Sequence, residues 1–361
     1  MVPVTPKHAS REKPLAVAAT QEEANVSQAA CAEDALSALT GLVGADMDAT
    51  NRLIVERMDS PVALIPRLAA HIVAAGGKRL RPLLTLAAAR LCGYPGAEGG
   101  ARHVALAACV EFIHTATLLH DDVVDESQLR RGLASANAVF GNQASVLVGD
   151  FLFARAFQLM VADGSLRVLD ILSRAAATIA EGEVLQLATQ NDLSTTEAQY
   201  LEVVRGKTAA LFSAACQVGA VVAHRPEREE AALAEYGMGL GIAFQLVDDA
   251  LDYAADQARL GKTVGDDFRE GKITLPVLTA HAAGNTAERA FWQRTVGSCE
   301  QTEADLDDAL GLMERHGAIR ATLDRADGFA QAAKRALDAF PDSRWRRALR
   351  EVADYTIQRA R

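Results

Sequence analysis

The chain has 361 residues, with 37 Lys and Arg against 47 Asp and Glu, and a formal net charge of −10. Half the residues are hydrophobic and 23% are charged, which excludes a mostly disordered chain. The acidic balance argues against a nucleic-acid partner, which needs a basic face to neutralise phosphates.

The first 33 residues are rich in Pro, Ala and Gln and lack periodicity, so they read as a disordered tail ahead of a single domain over 34–361. They contain no apolar run of the signal-peptide kind. The apolar regions further on are interrupted by Glu111, Asp150 or Arg155 before they reach about 18 residues. The five cysteines have no CxxC spacing and read as reduced core residues. A cytoplasmic protein is the expectation.

From about Ala35 the chain reads as helix, an all-α fold. Alanine makes up about a fifth of it, and no proline occurs between Pro95 and Pro226. Ser60-Pro61 predicts a helix start. Arg81-Pro82 opens a helix to about Cys92, with Gly93 as its stop. Residues 102–125 form one long apolar helix. Ser194-Thr-Thr-Glu197 predicts a capping box before a helix over 195–222. Gly261 to Gly271 is a Gly- and Asp-rich loop. No alternating apolar pattern predicts a strand.

The strongest chemical signal is Asp121-Asp122-Val123-Val124-Asp125 at the end of an apolar helix. Asp121 and Asp125 share a helix face, where like charges repel. The negative end of the helix dipole adds to that repulsion. The spacing returns in Asp248-Asp249-Ala250-Leu251-Asp252, again after an apolar helix. Two identical all-oxygen clusters suit Mg²⁺ bridging to a diphosphate. Basic residues complement them: Lys78 and Arg81 in Gly76-Gly-Lys-Arg-Leu-Arg-Pro82, then Arg130-Arg131, Lys207-Thr208, Lys262 and Lys272. Alone, each reads as a solvated charge; together they describe an anion site. Gly206-Lys-Thr208 lacks the upstream glycine of a P-loop. His120-Asp121 matches the HD pair of phosphohydrolases but leaves the second aspartate cluster unexplained.

Taken in order, these five motifs resemble the trans-isoprenyl diphosphate synthases, or polyprenyl synthetases, from about Thr40 onward. The resemblance is greatest to the long-chain bacterial octaprenyl, solanesyl and decaprenyl branch. It implies the isoprenoid-synthase fold, helices around a deep central cavity, usually in a homodimer. It implies Mg²⁺, three per site with Mn²⁺ as substitute, held by Asp121, Asp122, Asp125 and Asp248, with Asp249 and Asp252 completing the second cluster. Arg130, Lys207 and Lys262 would bind the allylic diphosphate, farnesyl or geranylgeranyl. Lys78, Arg81, His114 and Arg131 would bind isopentenyl diphosphate. Thr208 and Gln245 would lie near the reacting carbons. The Gly-Gln-x-x-Asp pattern of the short-chain enzymes is replaced here by Gly182-Glu-Val-Leu-Gln186, which leaves Glu183 and Gln186 without an assigned role.

Product length would be set by the cavity below Asp121, where Ala116 and Thr117 are small. A C40–C50 product, a precursor of the ubiquinone side chain, is the expectation. The alternatives are a shorter farnesyl or geranylgeranyl synthase, a terpene cyclase, or a non-catalytic subunit of a heteromeric synthase. The C-terminal arginines, Arg344 to Arg347 and Arg359 to Arg361, read as a solvated face, with at most transient membrane contact during product release.

Overall fold

The computed structural model describes residues 35–74, 76–96, 100–130, 132–254 and 264–360. The expected tail, Arg131 and Lys262 lie outside the described residues. The elements in chain order are α1 (35–42), α2 (Gly44–Arg57), α3 (Leu64–Ala74), α4 (Leu80–Leu91), α5 (Arg102–Val124), a two-stranded hairpin, α6 (Ala136–Phe140) and α7 (Asn142–Asp163). Then come α8 (Leu166–Thr189), α9 (Glu197–Val204), a π-helical turn at Arg205–Ala209, α10 (Ala210–Val222) and α11 (Glu227–Leu251). The C-terminal part holds α12 (Asp266–Arg269), α13 (Leu275–Ala283), α14 (Thr286–Trp292), α15 (Asp305–Arg315), α16 (Ala318–Ala336) and α17 (Arg344–Gln358).

The centre is built from α4, α5, α10 and α11. α10 packs against both α5 and α11, so it separates the two helices that carry the aspartate clusters. α5 is apolar on nearly every side because α2, α4, α7 and α10 surround it. Leu106, Cys109, Val110 and Phe112 are fully buried there. Each such aliphatic or aromatic side chain contributes about 1.5–3 kcal/mol of burial free energy. α11 starts with Glu227, Glu229 and Glu230, which suit the positive end of its dipole. Its middle approaches α10 closely at Gly237, where an added Cβ would lie 2.3 Å from the Phe212 carbonyl oxygen.

Several sequence expectations shift. α3 begins at Leu64, not at Ser60-Pro61, and the Ser60 hydroxyl instead accepts from the Val62 amide at 3.2 Å. The capping box uses Thr196 and Gln199, because Ser194 is drawn into a turn with Asp192. The helix that follows is interrupted by the π-helical turn rather than running regularly to Val222. The late loop contains α12. A short antiparallel pair, Leu129–Arg130 with Leu133–Ala134, is present where no strand was expected. Two residues per strand are too few to show an alternating pattern. Helices α4 and α5 match their expected bounds closely. Cys92, Cys109 and Cys216 are buried and reduced, whereas Cys299 is exposed.

Gly237→Ala should lower stability by about 1–3 kcal/mol through overpacking. Urea unfolding checks this, and unchanged stability would show that α10 and α11 can separate without cost.

Candidate active site

Both aspartate clusters sit at helix C-termini. Asp121 and Asp122 lie in the last turn of α5, and Asp125 caps it. Asp248 and Asp249 end α11, and Asp252 caps that helix. The segment after the second cluster folds back on it. The Gly265 amide donates to the Asp252 carbonyl at 2.8 Å, and the Asp267 amide donates to Asp252 Oδ2 at 3.1 Å. This places Lys272 between the clusters. Its Nζ is 3.4 Å from Asp125, 3.9 Å from Asp267 and 2.5 Å from Glu270.

The π-helical turn supplies the other link. Gly206, within it, meets Gly182 of α8 backbone to backbone; an added Cβ on Gly182 would lie 2.5 Å from the Lys207 amide nitrogen. Single π turns inside α-helices recur at functional sites because they redirect side chains. Here Lys207 Nζ reaches Glu183 at 2.6 Å and Asp121 at 3.9 Å. Thr208 donates to Gln245 Oε1 at 2.7 Å, and Gln245 Nε2 donates to Asp249 Oδ1 at 2.8 Å. The Tyr200 hydroxyl donates to the other Asp249 oxygen.

Each cluster is held by protein cations. Arg130 Nε donates to Asp122 at 2.9 Å, and Arg359 of the C-terminal helix pairs with Asp248 while stacking 4.4 Å from the Phe244 ring centroid. Among the described residues, no three acidic, His or Cys side chains already converge as a cation cage. The counter-ions explain this arrangement: Lys207, Lys272, Arg130 and Arg359 turn individual carboxylates toward themselves. Asp249 differs from the other aspartates in its surroundings. It is 4% exposed, and both of its oxygens are engaged by Tyr200 and Gln245.

The charge is only partly compensated. Burial pushes the Asp121 carboxyl up to about 7, with Glu183 and Asp125 adding to the rise and Lys207 opposing it. Burial likewise raises Asp249 and Asp252 to about 6. Lys272 would be lowered by burial, but Asp267, Asp125 and Glu270 hold it well above the ordinary lysine value. Hard, all-oxygen donors with surplus negative charge are the set that Mg²⁺ takes, so these residues fit such an ion.

A second basic group lies up the same helices. Arg81, in the first turn of α4, is 3.1 Å from His114 Nε2 and stacks 4.4 Å from the Phe212 ring centroid. His114 precedes Asp121 by seven residues, about 10 Å along α5. Lys78 is exposed and reaches the Tyr355 hydroxyl. Between them Arg79 adopts a left-handed conformation (φ +47°) and donates to Glu111 at 2.6 Å.

Below the aspartates lies a cavity of about 480 Å³ between α5, α7 and α8. Asp121, Asp125, Glu183 and Lys272 rim it, and Thr117, Phe153, Ile179, Ala180 and Leu187 line it. Thr117 therefore fits its expected place. Ala116 does not: it is fully buried in the core and is not among the cavity's lining residues. Adjacent helical residues point about 100° apart, and here the rotation of α5 turns Thr117 to the cavity and Ala116 into the core. His120 also lines the cavity, held over Gly149 with its Nε2 3.1 Å from the Val146 carbonyl oxygen.

The chain's segment 62–313 matches the polyprenyl synthetase family model. The chain belongs to the polyprenyl synthetase family. It is 50% identical over 326 residues to the octaprenyl diphosphate synthase of Escherichia coli (strain K12), covering 90% of this chain and 99% of that one. Its structure is similar to that of a decaprenyl diphosphate synthase from Rhodobacter capsulatus, with a TM-score of 0.86 and 54% identity, covering 90% of this chain and 99% of that one. It is equally similar to a polyprenyl synthase from Caulobacter crescentus complexed with calcium and isoprenyl diphosphate, at TM-score 0.86 and 55% identity, over 90% of this chain and 98% of that one. The fold is thus the all-α isoprenoid-synthase fold, and the chain is a prenyltransferase.

Sequence reasoning left Glu183 without a role and read Arg359 as surface. Lys272 was grouped with the basic residues of the anion site but given no individual role, and nothing in the local sequence marked Tyr200 or Asp267.

The raised Asp121 pKa has a sign. The folded protein binds a proton between about pH 4 and 7 that the unfolded chain releases, so this group's contribution falls as pH rises through that window. Thermal melts of the metal-free protein at pH 6 and pH 8 should show a smaller pH-dependent loss in Asp121→Asn than in the parent chain. An identical loss in both would contradict the raised value.

Proposed function

We propose that this chain is a long-chain all-trans polyprenyl diphosphate synthase. It adds isopentenyl diphosphate repeatedly to farnesyl or geranylgeranyl diphosphate to give a C40–C50 product, a ubiquinone side-chain precursor. The observation that carries this reading is an apolar cavity opening beneath carboxylates and Lys272 at one rim.

In this reading Asp121, Asp122, Asp125, Asp248 and Asp252 hold three Mg²⁺, for which Mn²⁺ can substitute. When bound, the metal neutralises the diphosphate and favours its departure as an anion. Lys207, Arg130 and Lys262 bind the same allylic diphosphate as direct cations, stabilising the charge that grows on the leaving oxygen as the allylic C–O bond breaks. Lys207 leaves Glu183, and Arg130 leaves Asp122, to meet it. Lys78, Arg81, His114 and Arg131 hold the diphosphate of isopentenyl diphosphate. Its double bond then supplies the electron pair of the new C–C bond, and the proton that is lost leaves with the departing diphosphate. Thr117, Ile179, Ala180 and Leu187 keep water from the cation.

The protein functions in the cytoplasm as a homodimer. α7 supports that assembly: it is apolar enough by length and composition to cross a membrane, yet only 44% of its most apolar stretch is buried. Leu147, Phe157 and Val161 stand exposed on it, and Leu129 and Leu133 stand exposed on the hairpin. A second copy of this chain would cover them. α5 passes the same length test but is a core helix, 72% buried.

Incubation with Mg²⁺, farnesyl diphosphate and labelled isopentenyl diphosphate should yield C40–C50 chains; a C15 or C20 main product would contradict the reading. Thr117→Phe should shorten the product by filling the cavity, whereas unchanged length would place the floor elsewhere. Asp248→Asn should lower kcat by about 10²–10³-fold, the scale for removing one preorganised charge-stabilising group.

A further inference from the structure

We propose that Asp249 and Tyr200 are positioning residues that orient Gln245 and Thr208 toward the allylic cation, and that Asp249 is not a metal ligand. The inference rests on the condensation chemistry above and concerns four polar side chains that form one directed chain.

The direction of each hydrogen bond follows from the chemistry of its ends. Asp249 is an acceptor on both oxygens. It takes one proton from the Tyr200 hydroxyl and another from the Gln245 amide nitrogen at 2.8 Å. That fixes the Gln245 side chain with nitrogen toward Asp249 and carbonyl oxygen toward Thr208. The oxygen then accepts the Thr208 hydroxyl proton at 2.7 Å. With its hydrogen committed to Gln245, Thr208 offers only lone pairs to any other group.

The chain borders a polar cavity of about 120 Å³ that Lys207, Thr208, Gln245 and Asp249 all line. Oxygen lone pairs there are suited to a passing positive charge. Reversing the Gln245 amide would present hydrogens instead. The negative charge of Asp249 is what disfavours that reversal, and Tyr200 is what holds Asp249. Burial makes the arrangement stiff: Tyr200 and Asp249 are each 4% exposed and Thr208 is 7% exposed. An unsatisfied partner in such a place costs more than an exposed one, so the chain tends to persist or fail as a unit.

The contrast with Asp248 is direct. Asp248 is accessible and paired with one arginine side chain, Arg359, whereas Asp249 is buried. Two aspartates adjacent in sequence therefore do different work.

Tyr200→Phe, Asp249→Asn, their double variant and Asp248→Asn are compared by two measurements. Calorimetry reads Mn²⁺-dependent binding of inorganic pyrophosphate, and labelled isopentenyl diphosphate reads kcat with farnesyl diphosphate. Tyr200→Phe and Asp249→Asn should bind metal and pyrophosphate within about threefold of the parent chain while losing tenfold or more in kcat. The double variant should be no worse than Asp249→Asn alone. Asp248→Asn should lose tenfold or more in binding. A tenfold binding loss in Asp249→Asn would make it a metal ligand and overturn the proposal. Unchanged kcat in Tyr200→Phe, the variant that best preserves packing, would overturn it too. If the parent chain incorporates no label, the proposed reaction fails, and the inference falls with it.

Discussion

Repulsion among buried carboxylates is the constraint on which the rest of this structure depends. Six aspartates end two helices at their negative poles, and Asp121 and Asp125 rim the cavity. No helix would adopt that arrangement for its own stability. Burial raises Asp121, Asp249 and Asp252 well above the ordinary carboxylate range. The surrounding architecture serves to hold these groups together. Lys272 joins the clusters from the late loop, Arg130 and Arg359 each clamp one aspartate, and Lys207 approaches from the π-helical turn. Under the proposed function, divalent cations and a diphosphate would relieve this repulsion.

The scaffold makes this tension affordable because it is rigid elsewhere. α10 packs against both aspartate helices and α5 is enclosed by apolar neighbours, so neither end can splay apart to relieve the charge. The Gly182–Gly206 contact lets the π turn press against α8 and direct Lys207 and Thr208 inward. The apolar cavity continues directly from the charged rim. Under the proposed function, ionisation and chain growth would occur in adjoining but different environments, one polar enough to part an anion from a carbon, the other dry enough to keep the resulting cation from water.

Much of this was legible in the amino-acid sequence because it lies in local patterns. The helix ending in Asp121 to Asp125 is marked by a mostly apolar run, and the repeated i, i+1, i+4 spacing marks the two carboxylate-bearing ends. Motif order grouped Arg81 with His114, and the structure sets their side chains 3.1 Å apart. What stayed hidden depends on three-dimensional packing. Tyr200 meets Asp249 across 49 positions and Arg359 meets Asp248 across 111, separations that no local pattern encodes. Ala116 and Thr117 were indistinguishable as small residues until the rotation of α5 showed which faces the cavity. The capping box slipped by two residues because Ser194 has a competing partner in Asp192.

The central claim is that the two aspartate clusters form one metal–diphosphate site. Crystals grown with Mn²⁺ and inorganic pyrophosphate test it through the anomalous scattering of the metal. The account predicts anomalous peaks between the C-termini of α5 and α11, contacting Asp121 or Asp125 on one side and Asp248 on the other, with Asp249 still bonded to Tyr200. Metal confined to one cluster, or bound away from both, would contradict it.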